Sequence, residues 1–298
     1  MNPSDLDPIV ILEDHELPTH LKKREPMSLL NSIVTGPRIL PPRVLLYGTN
    51  GIGKNTWAAG APSPIVIQTE QGSDELGMAR FPLATDYATV IAQIGALYSD
   101  PHDFGTVVLD SADWLEQLIW KQVCIDNGNA VNIAKACGGY GNGYLAACLK
   151  WREILDGLKA LREHRGMCVI LLAHHEVKVY NAPDTDPYDR YIPRLHKYAM
   201  AMLAEWVDAL LFAGYRVHTK TVETRAGDVS KGIGTGERVL HTQERPSHLA
   251  KNRYGLSEPM PFPLVGGFDL FAAGVGAFHA AQTKAAPATA PALVTASA

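Results

Sequence analysis

Short apolar runs of strand length recur through the middle of the chain, at residues 44–47, 64–69, 105–109, 167–173 and 207–213. Between them, at 55–61, 86–98, 111–125, 143–164 and 198–206, apolar residues return every three or four positions. Runs apolar throughout predict strands buried on both faces, and helical stretches between them predict crossover connections. The expected fold is therefore α/β, a mostly parallel central sheet flanked by helices. After Ala213 the texture changes, and residues 215–221 and 237–242 read as a C-terminal β-hairpin joined by a Gly-rich loop at 227–236.

The two ends differ from this middle. Residues 1–40 are polar and run into Pro37, Pro41 and Pro42, which predicts an N-terminal extension with one short helix over 27–33. The core is expected over 41–270 and a tail over 271–298. Residues 281–298 of that tail are rich in Ala, Pro and Thr without an aromatic and are expected to be disordered.

Composition narrows the picture only in part. With 46% hydrophobic residues the chain can bury a sizeable core, and a net charge of -4 argues against a surface coated with basic groups for indiscriminate nucleic-acid binding. Any such contact must be local. The four cysteines, Cys124, Cys137, Cys148 and Cys168, form no CxxC pair and read as reduced, buried thiols rather than zinc ligands. The start of the chain has neither the basic residues nor the apolar run of a signal peptide, and no apolar stretch is long enough to span a bilayer. The expected location is the cytoplasm, with no membrane partner.

The strongest chemical signal follows the first strand. Gly48-Thr49-Asn50-Gly51-Ile52-Gly53-Lys54-Asn55-Thr56 leads from a strand through a glycine-rich loop into a helix, the context a phosphate-binding loop requires. Its glycines let successive N–H groups turn inward toward phosphate oxygens, and Lys54 would reach the β- and γ-phosphates of a nucleotide such as ATP. One position departs from the pattern: Asn55 stands where a hydroxyl residue normally binds Mg²⁺. Thr56, roughly 100° further round the helix, cannot substitute for it. An asparagine carbonyl is a possible hard ligand of different reach, so nucleotide binding is expected to survive better than hydrolysis.

Three further strand ends carry polar groups. The third run ends in Asp110, a carboxylate suited to holding Mg²⁺ beside the loop. Since no glutamate follows it directly, the group that polarises an attacking water must come from elsewhere. Glu70, at the end of the second run, is the candidate, because ligands of open α/β sheets bind at the carboxyl ends of strands. The fourth run ends in His174 and His175. Adjacent strand residues face opposite sides, so one of the two is expected to view the γ-phosphate as a sensor.

Taken together, 47–54, 68–70, 108–116, 173–175 and 250–254 resemble the RecA-like ATPases, and more closely the phage-encoded AAA-domain proteins that include Sak-type single-strand annealing proteins. The likeness spans roughly 40–260. It implies that Glu70 activates water, that His174 or His175 couples the γ-phosphate to a DNA-binding loop, and that Lys251 and Arg253 reach across to the nucleotide of a neighbouring subunit. It also implies a homo-oligomer with nucleotide between subunits, in the host cytoplasm if phage-encoded. Two segments then stand out as contacts for single-stranded DNA. Residues 127–144 contain Tyr140 and Tyr144 among glycines, and 176–197 interleave Lys178, Tyr180, Tyr188, Arg190, Tyr191, Arg194 and Lys197. The function so implied is ATP-driven DNA recombination or annealing. A helicase or helicase loader, and a nucleotide-gated DNA-binding protein that hydrolyses little because of Asn55, are the alternatives; a small-molecule kinase ranks lower.

Overall fold

The computed structural model describes residues 33–72, 76–224 and 227–285. By contacts the chain divides into Met1–Pro37 and Arg38–Ala298. The first unit lies almost wholly outside the described residues, as does the helix expected over 27–33. All elements below belong to the second.

In chain order these are β1 (Arg43–Gly48), α1 (Lys54–Ala59), β2 (Pro64–Gln68), β3 (Ala79–Arg80), α2 (Tyr87–Ser99), β4 (Thr106–Asp110), α3 (Ala112–Asp126) and α4 (Asn142–His164). Then follow β5 (Cys168–Tyr180), β6 (Tyr188–Pro193), α5 (Lys197–Trp206), β7 (Ala209–Thr224), β8 (Gly227–His241), β9 (Lys251–Asn252), β10 (Met260–Pro261) and α6 (Gly267–Ala285). The sheet order is β10-β8-β7-β1-β5-β4-β2-β3, with β6 paired to β5 and β9 to β7. From β7 to β3 all pairings along this path are parallel, and β8, β9, β10 and β6 add antiparallel partners. The fold is thus a mostly parallel α/β sheet flanked by helices.

Alternation along the strands divides the core in two. Leu45, Tyr47, Ile67, Leu109, Leu171 and Phe212 point to the face covered by α2, α3, α4 and α5. Val44, Leu46, Val66, Val108, Ile170 and Leu211 point to the other, where α1 and α6 pack. Because both faces are covered, the strands read as unbroken apolar runs. On the second face α1 supplies six residues, too few to cover five strands, and α6 completes the layer. Phe268 and Phe271 of α6 meet the Trp57 ring edge-on at 5.0 and 5.5 Å. The core therefore runs past residue 270. The chain from 271 to 285 is helix rather than tail, and 286–298 lie outside the described residues.

Three other expectations need adjusting. The glycine-rich stretch 227–236 is strand: it pairs antiparallel with β7, from Thr224↔Gly227 onward, so the hairpin is longer than its apolar pattern indicates. β5 runs seven residues beyond the predicted end at Ala173, because 175–180 pair with β6. Of the cysteines only Cys168 is buried, where burial pushes its thiol up to about 12; the other three are free and half-buried.

Phe271 is fully buried. Phe271→Ala is expected to cost about 3–5 kcal/mol of unfolding free energy, read from the urea midpoint. A cost near zero would place α6 outside the core.

Candidate functional site

β1 delivers Gly48 to the carboxyl edge of the sheet, beside Ala213 of β7. A Cβ added there would sit 2.2 Å from the Ala213 carbonyl oxygen, so the close pairing of β1 and β7 excludes any larger residue. Gly51 and Gly53 turn the loop with left-handed φ of +71° and +105°. Ile52 between them is buried in the core and fixes the loop from below. Lys54, first residue of α1, folds back over the loop and donates Nζ–H to the Gly48 and Thr49 carbonyls at 3.3 and 3.5 Å. Burial draws its pKa down, while the negative charges of Asp110, Asp113 and Glu70 oppose that shift.

Glu70 and Asp110 come from two neighbouring strand ends, and Asp113 from the first turn of α3. Thr69 locks the ends together, its hydroxyl donating to the Ser111 carbonyl at 2.8 Å and accepting the Ser111 N–H at 2.9 Å. The Thr69 N–H also donates to the Asp110 carbonyl, 2.7 Å. Glu70 and Asp110 are thereby held beside one another, and with Lys54, Asn55, Thr56 and His174 they line a cavity of about 390 Å³. Burial, and then the charge of Glu70, push the Asp110 carboxyl up to about 6, against the pull of Asn55, Lys54 and His174. The Asn55 amide donates to Asp110 Oδ2 at 2.8 Å.

The two histidines part company. His174 lines the cavity, and its backbone N–H donates to Asp113 Oδ1 at 3.0 Å. Its Nδ1 lies 3.1 Å from Asp113 Oδ2 and 3.8 Å from Glu70 Oε1. His175 lies at the loop's root: its Nδ1 is 3.1 Å from the Gly48 carbonyl oxygen, and its ring lies 5.5 Å from Tyr191. Asp113 is buried, and burial alone would raise its pKa. Hydrogen bonds from His174 and Arg194 overcome that and hold the carboxyl well below the usual range.

Lys54, Asn55, Glu70, Asp110 and His174 are therefore brought together, while Lys251 and Arg253 are not. β9 pairs with the amino end of β7, Leu210↔Lys251. Arg253 donates to Asp208 Oδ1 and the Glu205 carbonyl, both at 3.2 Å, in a cluster where Asp208 also binds Arg43 and Arg162. Both basic residues thus sit at the sheet edge opposite the phosphate loop and can meet such a loop only across a subunit boundary. The segment 176–197 is largely a β-hairpin rather than an open loop. Arg190 is buried on Glu244 and Tyr191 stacks on Phe212 at 5.0 Å, whereas Lys178 and Tyr180 remain exposed. In 127–144, Tyr140 is fully exposed and Tyr144 stacks on His196 at 4.0 Å.

Sequence reasoning gave no role to Asp113 or Thr69, and it read Arg194 only as a DNA contact. Asp113 looks like any acid in a helix's first turn, and Arg194 is twenty residues from the His174 it adjoins in space. Among the described residues one further cluster has metal-type ligands within reach, His241, His248 and Glu258. Its atoms are already engaged. Glu258 accepts the Thr242 and Gln243 N–H groups and meets His241 Nδ1 at 2.7 Å, while His248 meets Ser247 Oγ and the Gln243 carbonyl. It ties the end of β8 to the segment after β9. No helix among the described residues is long and apolar enough to cross a membrane.

In the sheet the histidine strand β5 separates the loop strand β1 from the aspartate strand β4. That order, with a glycine loop running into Lys54 and an acid at the end of β4, defines a P-loop NTPase of RecA-like fold. The family described as AAA domain matches residues 40–254, and the chain belongs to it. Among solved structures the RadB recombinase is similar at 14% identity and a TM-score of 0.38, with 76% of this chain and 90% of that chain covered. So loose a superposition adds nothing to the strand order. No curated protein matches significantly.

The Asp110 carboxyl has a folded-state pKa of about 6, above the ordinary aspartate value, so its ionised form costs stability above that pH. The cost fades as pH falls through 6 toward the unfolded value. Asp110→Asn is expected to raise the melting temperature of the metal-free chain at pH 8, by a stabilisation of up to about 3 kcal/mol. An unchanged or lower melting temperature there would contradict the crowding of Asp110 and Glu70.

Proposed function

We propose that this chain binds ATP with Mg²⁺ at the loop Gly48 to Thr56, hydrolyses it, and uses the cycle on single-stranded DNA in phage-type recombination or annealing. The observation that carries this reading is the convergence of Lys54, Glu70, Asp110 and His174 on one cavity at the carboxyl edge of the parallel strands. Lys54 neutralises the β- and γ-phosphates, Glu70 orients the attacking water, and His174 senses the γ-phosphate. The donor set fits Mg²⁺: two carboxylates with hard oxygens stand together, and burial and then the charge of Glu70 disfavour the ionised Asp110, a cost that a cation would relieve. Asp110 and Asn55 would hold the ion, which when bound supplies further charge neutralisation at the phosphates.

The DNA part is supported by the β5–β6 hairpin, which presents Lys178 and Tyr180 and is continuous with the strand carrying His174. Exposed aromatic and basic groups suit stacking and backbone contact with a single strand. Assembly as a homo-oligomer would bring Lys251 and Arg253 of one subunit toward the loop of the next. A second reading, nucleotide-gated DNA binding with little turnover, is favoured by Asn55, whose amide already occupies an Asp110 oxygen.

ATP turnover with and without single-stranded DNA separates these readings. Lys54→Ala should weaken nucleotide binding by roughly tenfold or more, the loss of a charge-assisted contact. Turnover that rises with DNA, and rises further in Asn55→Ser, is the expected result. Should DNA neither bind nor alter turnover, the recombination reading fails; unchanged nucleotide binding in Lys54→Ala would sink the site itself.

A further inference from the structure

The hairpin formed by β5 and β6 has both its roots at the phosphate cavity. β5 passes through His174 and His175 before leaving the sheet, and β6 returns to Pro193. The next residue, Arg194, donates its backbone N–H to the His174 carbonyl at 2.9 Å. Its guanidinium turns to Asp113, with Nε donating to Oδ2 at 3.1 Å and Nη2 donating to the same oxygen. That Nη2 also lies 3.4 Å from His174 Nδ1. The same Nδ1 lies 3.8 Å from Oε1 of Glu70 in the cavity. Arg194, Asp113 and Glu70 thus gather around one ring nitrogen of His174, between the hairpin's root and the acid beside the phosphate loop.

The physics of this cluster depends on Asp113. Its side chain is 3% exposed, and a buried carboxylate is tolerated only when charge and hydrogen bonds compensate it. Arg194 is the full cation in contact with it; the remaining contacts come from His174, through the backbone N–H and Nδ1. The ring nitrogen facing a carboxylate carries its proton, so Asp113 fixes both the tautomer and the tilt of His174. One step further along, the same face of α3 grips the next turn of chain, where Glu116 Oε2 accepts the His196 N–H at 2.9 Å. A shift of β6 must therefore be felt at Asp113, and a shift of Asp113 at the cavity.

We propose that Arg194 is a positioning residue that couples the β5–β6 hairpin to the phosphate cavity, acting through Asp113 on His174 and Glu70. This rests on nucleotide binding at the Gly48 to Thr56 loop. Nucleotide entering the cavity moves His174, and the Arg194–Asp113 pair transmits the change to the hairpin; a ligand on the hairpin acts in the reverse direction by the same linkage. The Asp113 carboxylate receives two guanidinium bonds from Arg194, which a lysine replaces only as a point charge.

Hydrogen exchange of the hairpin amides, residues 176–192, with and without a non-hydrolysable ATP analogue and Mg²⁺ tests this on the full chain without requiring turnover or DNA. In the wild type the analogue should slow hairpin exchange. Arg194→Gln should bind the analogue within about threefold of wild type yet lose that response. Arg194→Lys should restore part of it, and Arg194→Gln combined with Asp113→Asn should lose no more than either single change. The proposal is overturned if Arg194→Gln keeps the full response, or if the wild-type hairpin ignores bound analogue. It is equally overturned if Arg194→Gln exchanges at the rate of an unfolded peptide before any nucleotide is added, since the residue would then merely hold the fold. Absence of analogue binding by the wild type is a different failure, that of the phosphate site.

Discussion

Two carboxylates, Glu70 and Asp110, are held side by side at a buried sheet edge, and much of the site follows from the need to keep them there. Like charges in a low-dielectric place repel, so the pair persists only because the backbone gives neither acid room to retreat. Thr69 and Ser111 supply that constraint by exchanging two hydrogen bonds across the strand ends. Compensation comes from around the rim: Lys54 lies folded over the loop, the Asn55 amide donates to Asp110, and His174 stands against Glu70. A third acid, Asp113, would make the crowding worse, and Arg194 removes its charge from the account. The arrangement is under electrostatic tension that a polyanion alone would increase and a divalent cation would release.

The sheet's opposite edge has the reverse sign of the same problem. There one buried carboxylate, Asp208, gathers Arg43, Arg162 and Arg253. Three guanidiniums on one carboxylate make this a cluster of positive excess, where the phosphate cavity is one of crowded acids.

The fold was largely legible because burial on both faces leaves little room in a strand for polar residues. The five apolar runs found in the sequence are the five central strands, and Gly48 to Thr56 was unmistakable because a glycine loop needs its residues contiguous. What escaped notice depended on pairing rather than composition. The stretch 227–236 looks like loop since glycine contributes no side chain to a strand pattern, yet the backbone ladder with β7 holds it. Residues 175–180 break the apolar run with a histidine, an acid and a lysine, and become strand only when β6 returns alongside. Arg194 and Asp113 share no local motif; eighty-one residues separate them, and the hairpin alone brings them into contact. Lys251 and Arg253 show the converse. A contiguous basic motif is easy to find, but its distance from the loop within one chain is set by where β9 pairs.

The helix α6 has a bearing on how the chain comes to exist at all. It closes the face on which α1 lies, and Trp57, immediately after the phosphate loop, has Phe268 and Phe271 as its aromatic cover. During synthesis the residues that roof the loop and its helix emerge more than two hundred positions after them. Until then one side of the central sheet is bare apolar surface. A chain in which α6 has not yet docked therefore holds its phosphate loop beside a tryptophan stripped of its aromatic cover.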